Sequence, residues 1–280
     1  MRSTVVLAAV ALLAGCRSAP ERLGSRGAPP ASGAALLAAE IDTRGPTLPP
    51  LAAEWMERID LEGGGVVFVA PPVGATEPRP VVVAIHGAVD DPGLICSAWR
   101  LVTDAYPFVV CPGGKPVGKG TYVWPSSEVL DKSIDRALVA VRAKYAARLR
   151  SDPAVYAAFS QGANMAGPVL AKSKGRFARA VLSEGGYRAL DNPGSARGFV
   201  AAGGERVLLT CSQPGCAGAF ERSRAPLMAA GANVRVSYSG PHGHSMPPPV
   251  RESINAALPW VVDGLGGWEG YAAAPRLSAH

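Results

Sequence analysis

An apolar, β-compatible run, Ala154-Val155-Tyr156-Ala157-Ala158-Phe159, breaks at Ser160-Gln161-Gly162 and resumes through Ala163-Asn164-Met165-Ala166 as a small-residue helix start. A strand, a sharp turn and a helix in so short a span leave the chain little choice. The strand must stop at the end of a sheet, the helix must fold back beside it, and the serine stands at the apex with its hydroxyl clear of both. Ala158 and Gly162, two residues before and two after the serine, are small enough to let strand and helix approach closely. The pattern Ala-x-Ser-x-Gly is a weak signal alone, because serine and glycine make turns for many reasons. Its weight comes from what flanks it.

Those flanks alternate between strand and helix signals. Val66-Val67-Phe68-Val69-Ala70 is a strand stopped by Pro71-Pro72. Pro80 introduces Val81-Val82-Val83-Ala84-Ile85, an unbroken apolar run of the kind found in strands buried on both faces of a parallel sheet. His86-Gly87-Ala88-Val89-Asp90-Asp91 follows, then a helix over 94–105 and a strand over 108–111. The glycine-rich segment from Pro112 to Trp124 lacks the Gly-Lys-Ser/Thr ending of a phosphate loop and reads as a surface loop beside a pocket. Leu130, Ile134, Leu138, Val141, Tyr145 and Leu149 recur at steps of three or four and predict one helix. Strands follow at 178–182, 207–210 and 234–238, with helices over 218–230 and 250–262. Strands alternating with helices imply an α/β fold: a mostly parallel sheet covered by helices on both faces.

The chain has 280 residues, 48% hydrophobic and 18% charged, enough for one good-sized core and awkward for two. The net charge of +6 is scattered, with no basic run and no nucleic-acid recognition motif, so no nucleic-acid partner is expected. Such a surface can still favour acidic envelope surfaces. Arg2 and the apolar run Val5–Ala14 form a targeting segment too short to be a stable membrane span. The run closes on Leu13-Ala14-Gly15-Cys16, which resembles the lipobox of bacterial lipoproteins in all four positions. The resemblance implies cleavage before Cys16, lipid on that residue, and attachment to a membrane of the cell envelope. Residues 1–15 are thus expected to be a signal peptide and 16–50, rich in Ala, Pro, Gly, Ser and Arg, a flexible tether. Residues 51–270 form the folded domain and 271–280 a tail. Setting Cys16 aside leaves Cys96, Cys111, Cys211 and Cys216, an even number suited to disulfides in an oxidising compartment, with three possible pairings. Their spacing does not suggest a zinc site, and neither metal nor organic cofactor is expected.

Taken in order, residues 60–265 resemble the α/β-hydrolase superfamily, nearest to its dienelactone-hydrolase and esterase-like members. Three segments carry the likeness. His86-Gly87 sits where the family's oxyanion loop follows an early strand, Ala158-Phe159-Ser160-Gln161-Gly162 matches its nucleophile elbow, and Gly243-His244 matches the Gly-His after the last strand. No long insertion separates the strand at 178–182 from that at 207–210, so no cap domain is expected. The resemblance implies a carboxylic-ester hydrolase acting on a small-molecule or polymeric ester, with oligomeric state left open. Ser160 would be the nucleophile and His244 the base, with the backbone amides of Gln161 and Ala88 binding the oxyanion. His242 is the competitor for the base, His86 is expected to hold the oxyanion loop, and His280 lies at the terminus.

The acid departs from the family pattern. Asp or Glu is usual just after the strand at 207–210, yet the loop here is Cys211-Ser212-Gln213-Pro214-Gly215-Cys216. Glu184, after the preceding strand, occupies a position some members use instead; if it orients His244, its carboxylate should lie within hydrogen-bond range of Nδ1. The rival is a Ser–His pair oriented by a backbone carbonyl or by Gln213. The simplest reading of the Cys-x4-Cys loop is a small disulfide, Cys211–Cys216, after which Cys96 and Cys111 would pair. The missing acid also motivates a different class of function, a weakened hydrolase scaffold that binds a ligand or an envelope partner.

Overall fold

The computed structural model describes residues 47–273; the segments expected to be a signal peptide (1–15) and most of a tether (16–50), with Cys16, and His280 lie outside them. In chain order the elements are β1 (Glu57–Asp60), β2 (Val66–Ala70), β3 (Val81–Ile85), α1 (Pro92–Val102), β4 (Phe108–Pro112), β5 (Lys115–Gly118), β6 (Thr121–Val123) and α2 (Ser127–Tyr145). They continue with β7 (Ala154–Phe159), α3 (Gln161–Asn164), α4 (Ala166–Ala171), β8 (Phe177–Ser183), α5 (Pro193–Ala201), β9 (Arg206–Cys211), α6 (Cys216–Ala229), β10 (Asn233–Tyr238) and α7 (Pro248–Val262). An eight-stranded sheet runs β1-β2-β4-β3-β7-β8-β9-β10. The β1–β2 and β2–β4 pairs are antiparallel, and all pairs from β4 to β10 are parallel.

The unbroken apolar runs are the central strands, as expected of parallel strands covered on both sides. Every residue of β3, β7 and β8 is buried. Alternate side chains enter two separate cores. Val81, Val83, Ile85, Tyr156 and Ala158 pack with Leu130, Ile134, Leu170, Phe199 and Phe220 of α2, α4, α5 and α6. Val82, Ala84, Val155, Ala157 and Phe159 pack with Trp99, Val102, Ile254 and Leu258 of α1 and α7. Because each fully buried Val, Leu, Ile or Phe contributes roughly 1.5–3 kcal/mol, this double burial makes the middle of the sheet the rigid part of the molecule. The loops that follow these strands therefore stand on a firm base.

Some local readings need correction. The helix expected to run to Leu149 stops at Tyr145, because Ala146 takes φ 33° and a single 3-10 turn follows. Leu149 then leaves the helix and bridges Arg79. The segment read as a surface loop contains a hairpin, β5 against β6, turning through Gly120 at φ 74°. Short strands of Lys-Pro-Val-Gly and Thr-Tyr-Val show no period-two apolar pattern, so nothing local announced them. Strand β1, alternating half-buried and exposed, and helix α5 between β8 and β9 were likewise not anticipated.

The four cysteines of the domain form Cys96–Cys111 and Cys211–Cys216, with Cα atoms 5.7 and 6.3 Å apart. The first ties α1 to β4. The second closes the loop after β9.

Candidate active site

Strand β7 ends at Phe159, and Ser160 turns the chain with φ 51° and ψ −111° before α3 begins at Gln161. A left-handed φ on a residue with a Cβ costs on the order of 1–3 kcal/mol and persists only where the surroundings enforce it. Here they do. The Ser160 amide donates to Ser183 O at 2.9 Å, and Asn164 N donates to Ser160 O at 2.9 Å. Three glycines crowd the turn. A Cβ on Gly162 would lie 2.4 Å from Ile85 Cγ2, one on Gly185 would lie 2.5 Å from Ser160 O, and one on Gly87 would lie 3.2 Å from Ser160 Cβ. Gly162→Ala is therefore expected to lower stability by about 1–3 kcal/mol through overpacking against β3, seen as a lower Tm in thermal unfolding. An unchanged Tm would mean that α3 and β3 can separate freely.

The early loop is held against this turn from beneath. The buried ring of His86 donates from Nδ1 to Gly87 O at 2.6 Å and accepts from Gly114 N at Nε2, 3.1 Å away. Desolvation lowers the His86 pKa from its ordinary value, so the ring is neutral and has one nitrogen for each role. Trp124 stacks on it with centroids 4.6 Å apart and donates from Nε1 to His86 O at 3.1 Å. The hairpin joins the same unit through the Asp90–Tyr122 bridge. The Gln161 side chain clamps the Trp124 backbone, accepting from its N–H at 2.9 Å and donating to its carbonyl at 3.1 Å. This second use of Gln161 had no signal in the sequence. The backbone amides of Ala88 and Gln161 donate no hydrogen bond among the described residues, which leaves both free for a ligand oxygen.

The loop after β10 brings His244 to Ser160, its Nε2 lying 2.7 Å from Oγ. His242 points elsewhere; its amide donates to Ser212 O at 3.1 Å, and its exposed ring takes no part in this contact. Glu184, just past β8, is itself held at φ 55° and is wholly buried. Its Oε1 accepts from the Ser212 amide and lies 2.7 Å from Ser212 Oγ. The Ser212 hydroxyl is also 2.6 Å from Gly243 O, so it links the loops after β8, β9 and β10. Glu184 does not bond His244 directly: Oε2 is 4.0 Å from Nδ1. The Gln213 amide lies between them, with Nε2 at 3.0 Å from Glu184 Oε2 and 2.9 Å from His244 Nδ1. The two orienters set against each other by the sequence are thus arranged in series. Among the described residues no group of three or more His, Cys, Asp or Glu side chains is placed to hold a metal ion.

Strand order, parallel register and the turn at Ser160 define the α/β-hydrolase fold, and solved structures share it. An S-formylglutathione hydrolase from Agrobacterium tumefaciens superposes with a TM-score of 0.55 at 15% identity, covering 79% of this chain and 99% of its own. The esterase PE8 gives 0.55 at 20% identity over 72% of this chain and 100% of its own. A carboxylesterase from Mesorhizobium loti gives 0.50 at 17% identity, covering 73% and 99%. No protein-family model and no curated protein matches the sequence.

Proposed function

We propose that this chain is a serine-dependent carboxylic-ester hydrolase. The observation that carries the reading is the 2.7 Å contact between His244 Nε2 and a serine Oγ held on a strained turn. A serine hydroxyl is a poor nucleophile until a base takes its proton, and imidazole suits that role near neutral pH. In this reading Ser160 Oγ attacks the ester carbonyl while its proton passes to His244 Nε2. The carbonyl oxygen gains negative charge and accepts from the Gln161 and Ala88 amides, which are fixed before the reaction starts. The imidazolium returns the proton to the leaving alkoxide. Water, deprotonated by His244 in turn, then releases the acid from the acyl-enzyme. Glu184, shielded from solvent, supplies the negative charge that stabilises the imidazolium. The likeness to esterases supports this reading at the level of fold, and the site chemistry supplies the rest.

A fluorophosphonate probe tests it, since phosphonylation needs an activated serine. Labelling of Ser160 is expected; a native protein that resists the probe would instead support the weakened scaffold. That alternative draws on the 4.0 Å gap between Glu184 and His244.

For the segment outside the described residues we propose lipid attachment at Cys16 and a location on the cell envelope. The lipobox-like residues support it, and two disulfides in the domain are compatible with an oxidising compartment. Cys16→Ser is expected to move the protein from the membrane fraction to the soluble fraction. Retention by membranes would point to another anchor.

A further inference from the structure

The atoms around Gln213 fix more than a distance. A carboxylate only accepts hydrogen bonds, so the amide atom 3.0 Å from Glu184 Oε2 must be the donor nitrogen; the amide oxygen there would set two acceptors against each other. The same nitrogen is 2.9 Å from His244 Nδ1. With one amide proton on Oε2, the other points to Nδ1, which must then be the unprotonated nitrogen. A neutral imidazole with a bare Nδ1 carries its proton on Nε2, the atom facing Ser160 Oγ at 2.7 Å. A ring that donates to the serine cannot also take the serine's proton.

From this we infer that Gln213 is a positioning residue that holds His244 in the wrong tautomer at rest, and that turnover begins when its side chain leaves the space between Glu184 and His244. The inference rests on Ser160 and His244 acting as proposed above. Gln213 is half-buried and Glu184 fully buried, so the amide has a way out to solvent while the carboxylate stays on Ser212. The backbone carrying Gln213 is pinned by the Cys211–Cys216 bond, which confines the change to the side chain. Once the amide has gone, the ring closes the remaining gap. It gives its Nε2 proton to solvent water, takes one at Nδ1, and donates that to Glu184 Oε2. The exchange leaves the ring neutral and the water unchanged. Nε2 is then bare and faces Ser160.

The test reads the tautomer directly. In the full chain labelled with ¹⁵N-histidine at about pH 8, above the ordinary imidazole range, the two tautomers give different ring-nitrogen shifts. His244→Ala identifies the His244 signals, and His86, locked with its proton on Nδ1, serves as an internal standard for folding. The wild-type protein is expected to show His244 protonated on Nε2. Gln213→Leu, which keeps bulk without a donor, and Gln213→Ala should both move the proton to Nδ1. Both should also raise kcat by roughly 2- to 10-fold, the equilibrium worth of one hydrogen bond released. A wild-type His244 already protonated on Nδ1, variants whose tautomer does not move, or a fall in kcat for both variants would overturn the inference. Fluorophosphonate labelling of the same samples separates the two readings. Labelled protein with the wrong tautomer result removes only the role of Gln213, whereas unlabelled wild type removes the hydrolase reading beneath it.

Discussion

Ser160→Ala is expected to lower kcat for ester hydrolysis by on the order of 10⁶, the effect of removing the nucleophile from a Ser–His–acid unit. Among the described residues Ser160 Oγ is the hydroxyl hydrogen-bonded to His244 Nε2, at 2.7 Å, and alanine removes it. The fold should survive. The turn is held by backbone bonds from Ser160 N to Ser183 O and from Asn164 N to Ser160 O, and alanine leaves both intact. The strain at φ 51° also remains, since alanine keeps the Cβ. The measurements are kcat with a chromogenic ester and Tm by thermal unfolding. A variant with wild-type turnover would show that the serine at the turn is not the nucleophile. Ser160→Gly makes a useful companion: it should be equally inactive yet more stable, because glycine takes the left-handed conformation without the Cβ clash.

Glu184→Gln is expected to lower kcat by roughly 10² to 10⁴ with little change in KM. The carboxylate has no solvent exposure, so water screens its field only from the side of the half-exposed His244 ring. That field matters most in the transition state, when the ring becomes cationic; hence the effect falls on kcat. The substitution keeps the shape and an acceptor for the Ser212 amide while removing the charge. His242→Ala is the control and should cost far less than His244→Ala, since the His242 ring lies outside the Ser160–His244–Gln213–Glu184 chain of contacts. A Glu184→Gln protein running at the wild-type rate, beside an inactive His244→Ala, would reduce Glu184 to a loop residue that props Ser212. The site would then work as a Ser160–His244 pair without a charged partner.

Most of the scaffold was legible because its signals are local. Val81–Ile85 and Ala154–Phe159 are continuous apolar runs, and such runs have to be covered on both faces. Asp91 caps α1 by accepting from Gly93 N at 2.7 Å, and Ser126 caps α2 by accepting from Val129 N at 3.2 Å; these are local signals too, though periodicity alone, and not the caps, carried the helix assignments. The turn at Ser160 was legible only with its flanks: small residues two positions to either side are a local steric requirement, and the apolar run before it and the helix start after it gave that pattern its weight. Gly162 meets that requirement against Ile85, whose identity as partner was not visible in the sequence.

What the sequence could not decide were the encounters between loops. Ser160 and His244 are 84 positions apart, and their pairing could be named only through likeness to a family pattern. The missing carboxylate after β9 left Glu184 and Gln213 as rivals, since a linear reading can weigh one candidate against another but cannot stack them. Parallel neighbours β8 and β9, in register at Ser183 and Thr210, put the loops after both strands side by side. That register sets Glu184 behind Gln213. The hairpin β5–β6 was missed for the same kind of reason. Its short strands carry no pattern of their own and are held by Asp90 and by the Gln161 side chain, both distant in sequence. Periodicity and turn chemistry act over a few residues and so determined the strands, the helices and the strained serine. The order in which Glu184, Gln213 and His244 meet depends on strand register and loop closure across the sheet, and only the folded chain supplies those.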